Sequence, residues 1–287
     1  MKAPRIENRS VLVTGCSSGI GLATAELLRS RGWTVFPTAR KVEDLDMLEA
    51  MGFNAIQLDV TSSESIRATV DQLLFTNGGR LGAVVNNAGF GMPGAIQDLT
   101  RDAMRQQFEV NLFGLQELTN LLIPVFREQG YGRIVNISSV VGRLSLPFMG
   151  IYSASKFALE AISDAQRIEL SPDAITISLV EPGPIETRFS TNCAGAGEKK
   201  LDVERSRFSA AYRTYFDKRR TGGMSEDRFR LPPEAVAKKI AHALESPHPK
   251  IRYCVTIPAY LGNWTARFVP ARLIDRLMIS HVRKRFG

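Results

Sequence analysis

The chain has 287 residues, 44% of them hydrophobic and 23% charged, which suits one large globular domain with a buried core and excludes a disordered chain. No window reaches the roughly 18–20 uninterrupted apolar residues of a membrane-spanning helix, and the opening MKAPRIENRS lacks the apolar stretch of a secretory signal. The formal net charge of +8 admits acidic ligands, anionic lipid or nucleic acid, while Cys16, Cys193 and Cys254 are too scattered for a disulfide framework or a zinc site. The expected setting is reducing and cytoplasmic, with no metal.

In chain order, short β-rich runs alternate with helix patterns: SVLVTG, IGLATAELLRSRG and WTVFPTAR, then NAIQLDV, AVVNNAG, RIVNISS and TISLVEPG. Strands nearly continuous in Val, Ile and Leu suit a parallel sheet covered on both faces, so a doubly wound α/β fold is predicted. Residues 188–230 break the rhythm with GAGEKK, DKRR and TGG and read as an irregular or short-helical insertion, the position of a substrate lid. Helix and strand return in PPEAVAKKIAHALES and IRYCVTI. The expected division is a catalytic domain over 1–260 and a basic amphipathic extension over 261–287.

Between the first strand and the first helix lies the turn Gly15, Cys16, Ser17, Ser18, Gly19, Ile20, Gly21. Gly15 permits a tight turn, Gly19 lets backbone approach a pyrophosphate, and Gly21 allows close helix packing, with the helix N-terminus offering N–H groups to the anion. A glycine-rich turn alone also serves purely structural ends. The second strand ends in Ala39, Arg40 and Lys41, where NAD-binding folds carry an acid for the ribose hydroxyls. A guanidinium at Arg40, with Ser17 as hydroxyl partner, suits a 2′-phosphate, which favours NADP(H), unless Arg40 is an ordinary solvated strand end.

Tyr152 and Lys156 stand four residues apart at the head of a predicted helix, on one face. A nearby cation favours phenolate, so Lys156 and a positive nicotinamide ring are expected to lower the Tyr152 pKa towards that of a working acid/base. Ser138 and Ser139 close the strand RIVNISS, where a hydroxyl can hold a carbonyl oxygen. Taken singly, a Tyr-x-x-x-Lys pair is more often a surface pair, and a serine at a strand end is often only a cap.

Together these pieces resemble the short-chain dehydrogenase/reductase family, whose TGxxxGxG turn, NNAG segment, active-site serine, YxxxK pair and PG segment occur here in that order over residues 9–190. The resemblance implies a Rossmann-like sheet of about seven strands, often in homo-dimers or tetramers. It implies that Asp59 and Val60 flank the adenine. Asn87, Ala88 and Gly89 would support the adenosine ribose. Ser139, Tyr152 and Lys156 would be catalytic, with Asn111 in a proton relay, and Tyr152 and Lys156 would also bind the cofactor. Pro182, Gly183, Ile185 and Thr187 would surround the nicotinamide. At finer grain the turn, the TAR strand end, YSASKFALE and PGPIETRF resemble NADP-dependent bacterial aldehyde reductases and 17β-hydroxysteroid and retinol dehydrogenases. That likeness implies a small apolar carbonyl or alcohol substrate. Phe90, Val141, Leu144, Leu146, Phe148 and Met149 then line an apolar pocket or belong to the core.

In the tail, Ile274, Leu277, Met278, Val282 and Phe286 form an apolar helical face with Arg272, Arg276, Arg283 and Arg285 around it. Two readings stand: a helix packed on its own domain or a partner subunit, and one in peripheral contact with an anionic membrane. No recognised nucleic-acid module accompanies it. The expected activity is hydride exchange between NADP(H) and a carbonyl carbon. The alternatives are an NADP(H)-binding redox sensor without turnover and an epimerase or dehydratase of related fold.

Overall fold

The computed structural model describes residues 3–220 and 229–286, with side chains described for 3–218 and 229–280. Residues 221–228 of the insertion, and the side chains of Val282, Arg283, Lys284, Arg285 and Phe286 in the tail, therefore lie outside the description.

Seven parallel strands form one sheet in the order β3-β2-β1-β4-β5-β6-β7. They are β1 (Ser10–Val13), β2 (Thr34–Ala39), β3 (Ile56–Gln57), β4 (Ala83–Asn86), β5 (Gly132–Ile137), β6 (Ile175–Glu181) and β7 (Arg252–Cys254). Between them run α1 (Gly19–Ser30), α2 (Val42–Ala50), α3 (Ser63–Thr76), α4 (Arg101–Phe108), α5 (Gly114–Gln129), α6 (Gly150–Glu169), α7 (Phe189–Lys200), α8 (Ser209–Arg220) and α9 (Pro233–Glu245). After β7 come α10 (Ile257–Phe268) and α11 (Ala271–Phe286).

The continuous apolar strands resolve into two faces because successive side chains point to opposite sides. Val11, Val13, Val85, Val135 and Val180 enter one cluster with Leu28 of α1 and Ile240 and Leu244 of α9. Leu12, Val84, Ile134 and Ile177 enter the other with Leu73 of α3 and Leu122 and Phe126 of α5. Each fully buried leucine contributes about 1.5–3 kcal/mol relative to an exposed one. This double cover fixes the strand ends, and so the loops that carry the site.

The insertion is more regular than expected: α7 and α8 are helices of 12 residues each. In α7 only the small residues Cys193, Ala194 and Gly197 are buried, so the sequence gives no helical stripe of large apolar residues to read. A Cβ on Gly197 would lie 2.6 Å from Pro93 Cγ, a closeness that only a small residue allows. Ala194, Tyr212 and Phe216 join Met92, Ala103 and Ile151 in a third cluster.

Thr256 caps α10 by accepting from the Ala259 N–H, and Gly262 of α10 faces Val140. Next, α11 touches α8, with Ile274 and Met278 half-buried and Leu277 exposed. Among the described residues no helix is long and apolar enough to cross a membrane.

Candidate active site

The site gathers where β1 and β4 lie side by side while their connections lead to opposite halves of the sheet. After β1 the chain turns through Gly15 at φ 73° and enters α1 through Gly19 at φ 62°, backbone that side chains disfavour. A Cβ on Gly21 would lie 2.2 Å from the Gly15 carbonyl oxygen. Ser18 occupies the N-cap of α1 but makes no side-chain capping bond, so the first-turn N–H groups stay available to an anion at the positive end of the helix dipole. Ile20 turns inward and packs on the core, and Ser17 is half-buried. Cys16 is fully buried and its thiol is pushed up to about 12 by that burial.

Asn87 locks this turn to β4. Its Nδ2 donates to the carbonyl oxygens of Thr14 (2.8 Å) and Gly15 (3.0 Å), while the N–H groups of Asn87 and Ala88 both donate to Thr14 Oγ1 at 2.9 Å. On the other side, a Cβ on Gly19 would lie 2.9 Å from Thr187 Cγ2, which brings the segment after β6 against the turn. That segment is tied down by the Ile185–Leu231 bridge and by the Val140 N–H, which donates to Pro182 O at 2.9 Å. Gly183 leaves room for Thr256, whose Oγ1 would stand 2.1 Å from an added Cβ.

Arg40 is exposed at the end of β2, and its carbonyl accepts from Gln57 Nε2 at 3.1 Å. The Asp59 carboxylate accepts from the Thr61 N–H (2.9 Å) and hydroxyl (2.7 Å), a local turn. Val60 is buried beneath the start of α5, where the absent Cβ of Gly114 makes room for its carbonyl.

Ser139, just past β5, accepts from the Val141 N–H at 3.3 Å and donates to Pro182 O at 3.4 Å. Tyr152 and Lys156 are both buried at the head of α6. Lys156 Nζ donates to Ile137 O at 2.8 Å and stands 5.9 Å from the centre of the Tyr152 ring. Burial pulls Lys156 down to about 8, opposed by the charge of Glu160. Burial also pushes the Tyr152 phenol above its ordinary value, helped by Cys193 and opposed by the Ser139 hydroxyl. The lowering expected from Lys156 is therefore not what the chain alone produces: desolvation outweighs an ammonium that is turned towards a carbonyl.

Asn111 sits in a π-turn (Glu109–Phe113) between α4 and α5, fully buried. Its Oδ1 accepts from the Phe90 N–H at 3.1 Å, and its Nδ2 donates to Phe90 O (2.9 Å) and Ser155 Oγ (3.2 Å). Ser155 donates in turn to Tyr152 O at 2.7 Å. Asn111 thus reaches the tyrosine's helical turn through Ser155, a residue that sequence reasoning missed although it lies inside the YSASK motif. Gly89 lies against Asn111, with an added Cβ 3.3 Å from Oδ1.

The Tyr152 ring packs on Phe189 of α7 at 5.5 Å. Cys193 Sγ, Met149 Cε and Phe189 Cζ all lie 3.0–3.3 Å from where Gly91 would place a Cβ. Phe148 adopts φ 62° and sets its ring edge-on to Phe208 (5.2 Å) and Tyr212 (6.0 Å). Among the six apolar candidates Val141 is buried, while Phe90, Leu144, Leu146, Phe148 and Met149 are half-buried. Phe189 and Cys193 of the insertion, which lie with Met149 against Gly91, were not singled out, because the insertion gave no register.

A phenol, a hydroxyl and an ammonium buried beside a phosphate-type turn are equipped to move a proton at a substrate oxygen. A family model described as short chain dehydrogenase matches residues 9–196. The chain is 40% identical over 274 residues to the uncharacterized oxidoreductase YbbO of Escherichia coli (strain K12), covering 96% of this chain and 95% of that protein. It is 32% identical over 284 residues to the NADPH-dependent 3-dehydrocapnine reductase of Ornithobacterium rhinotracheale, with 96% and 98% covered. The crystal structure of a short-chain dehydrogenase from Streptomyces avermitilis superimposes with a TM-score of 0.74 at 32% identity, over 96% of this chain and 98% of that one. With the seven-stranded parallel sheet, the glycine turn and the matched segment all in agreement, the chain belongs to the short-chain dehydrogenase/reductase family of oxidoreductases.

Proposed function

We propose that this chain is an NADP(H)-dependent oxidoreductase acting on the carbonyl or alcohol carbon of a small apolar substrate, and that it works as a reductase in the cytoplasm. The observation that carries this reading is the burial of Ser139, Tyr152 and Lys156 together at the carboxyl end of the central strands, the end that also bears the glycine turn.

The residues fit a dinucleotide. Gly15, Gly19 and Gly21 leave space that a Cβ would fill, and Thr187 closes on Gly19. Arg40, with no acid at the end of β2, supports NADP(H) over NAD(H), as does the NADPH-dependent relative. When bound, the nicotinamide supplies hydride to the carbonyl carbon. Tyr152 gives its proton to the carbonyl oxygen, Ser139 Oγ hydrogen-bonds that oxygen, and Lys156 offsets the charge of the phenolate left behind. A phenol whose pKa is raised by burial is protonated at rest, as reduction requires.

Phe90, Phe148 and Met149, with Phe189 and Cys193 from residues 188–230 acting as the substrate lid, support an apolar substrate. Exposed Phe113 and Phe157, beside α5 and on α6, support a homo-dimer or tetramer. The exposed Tyr260, Trp264 and Phe268 of α10, with Arg267 on the same helix and exposed Arg272 and Arg276 on α11, support peripheral contact with an anionic membrane.

The test is NADPH consumption with medium-chain, aromatic, retinoid and steroid carbonyls, beside NADH and a Tyr152→Phe control. Turnover that prefers NADPH and is lost in the control is expected. Tight NADPH binding without turnover across the panel would replace the enzyme by a redox sensor.

A further inference from the structure

One turn beyond Lys156, α6 carries Glu160, which is buried. Arg252 Nε lies 3.1 Å from Glu160 Oε2 and 3.2 Å from Glu181 Oε1, and its Nη2 lies 2.6 Å from Asp164 Oδ2. Three carboxylates therefore share one guanidinium, two of them out of water. Glu181, at the end of β6 and fully buried, also accepts from Asn263 of α10 and from Cys254 Sγ at 3.5 Å. Gly142 brings this cluster against the catalytic turn: an added Cβ would stand 2.8 Å from Ser138 Oγ, 3.3 Å from Glu160 Cγ and 3.3 Å from Lys156 Cβ.

We propose that Glu160 is a positioning residue for the reaction, setting the charge state of Lys156 from within the buried Glu160–Glu181–Arg252 cluster. This rests on the catalytic reading of Tyr152 and Lys156.

Two buried carboxylates beside one cation cannot both ionise cheaply. Burial, with the charge of Glu181, pushes Glu160 up to about 7, against the pull of Ser138, Arg252 and Arg143. Lys156 sits near 8, held there against burial by the Glu160 charge. The groups facing Glu160 are Lys156 and Asp164 on its own helix, Arg143 on the turn after β5, Glu181 on β6, and Arg252 and Cys254 on β7. Above its own titration Glu160 is an anion that holds the proton on Lys156. In Glu160→Gln that charge is gone, and Lys156 loses its proton at lower pH. In Glu181→Gln the competing carboxylate is gone and Glu160 ionises at lower pH, while Lys156, which loses its proton only after Glu160 is already charged, keeps its titration.

The experiment follows the Lys156 titration in the full-length protein by isotope-edited NMR of lysine Cε, beside the pH profile of kcat with NADPH and the best carbonyl of the panel. Thermal melts accompany each variant. The expected result is a downward move of the Lys156 titration and of the alkaline limb by about one pH unit in Glu160→Gln, a Lys156 titration that stays in place in Glu181→Gln, and recovery in Glu160→Asp. A Lys156 titration that stays in place in Glu160→Gln, or that moves equally in both glutamine variants, overturns the proposal. If Glu160→Gln does not fold, Glu160→Met, which leaves no buried amide to satisfy, takes its place, and an unmoved Lys156 titration there overturns the proposal. Turnover by Tyr152→Phe marks failure of the catalytic reading, and the proposal goes with it. An inactive Tyr152→Phe beside an unmoved Lys156 titration in Glu160→Gln marks failure of the Glu160 role alone.

Discussion

Thr14 and Asn87 are hydrogen-bonded in two places: the Asn87 N–H donates to Thr14 Oγ1 at 2.9 Å, and Asn87 Nδ2 donates to Thr14 O at 2.8 Å. The pair joins the loop after β1 to the loop after β4, across the crevice where a dinucleotide binds in such sheets. Thr14→Val keeps the shape but removes the acceptor for the N–H groups of both Asn87 and Ala88. A loss of about 1–3 kcal/mol of stability is expected, read by denaturant melts, together with weaker NADPH binding. Thr14→Ser retains both bonds and most of the stability.

Gly21 is the least replaceable glycine of the turn. Its added Cβ would meet the Gly15 carbonyl at 2.2 Å and Asn87 Nδ2 at 2.6 Å, and a backbone oxygen has little freedom to move aside. Gly21→Ala is expected to cost about 1–3 kcal/mol through overpacking and to abolish stabilisation by NADPH in a thermal shift assay. A variant that melts like the parent and still gains stability from NADPH would show that the turn tolerates the displacement.

Arg40 is exposed, so its removal leaves the fold intact and isolates its effect on the cofactor. A charge-assisted bond to a 2′-phosphate is worth about 1.5–3 kcal/mol. Arg40→Leu should therefore raise the KM for NADPH about 10- to 100-fold while leaving that for NADH almost unchanged. Equal changes for the two cofactors would remove the basis for an NADP(H) preference.

The insertion is latched at Asp98. Its Oδ2 accepts from Ser206 Oγ and Tyr212 OH, each at 2.6 Å, while Tyr212 OH accepts from the Ala95 N–H at 2.8 Å. Partial burial raises Asp98, but the two hydroxyl donors outweigh it and hold the carboxyl below its ordinary value. A depressed folded value means that the latch is intact at neutral pH and is lost only as pH falls through it. Tyr212→Phe removes the donor and orphans the Ala95 N–H, at about 1–3 kcal/mol. Faster proteolysis within 201–218 at neutral pH is expected in the variant. In the parent, that susceptibility should appear only in acid.

The sequence by itself determined the sheet. Continuous apolar strand runs and the βα alternation are local patterns, and each strand from SVLV to ITISLVE carries its own record of them. The glycine turn and the YxxxK pair are each ambiguous taken singly and were legible through their order along the chain with the NNAG, serine and PG segments, which resembles the short-chain dehydrogenase/reductase family. What the tertiary structure alone decided depends on burial and on contacts between distant segments. The Tyr152 pKa direction turned on desolvation rather than on the adjacent lysine, and α7 of the insertion is held by small residues with no stripe of large apolar ones. Glu160, Glu181 and Arg252 are separated by 21 and 71 positions and lie on three different elements. No local pattern announces that they meet, because only the packing of β6 and β7 against α6 takes their charges out of water together.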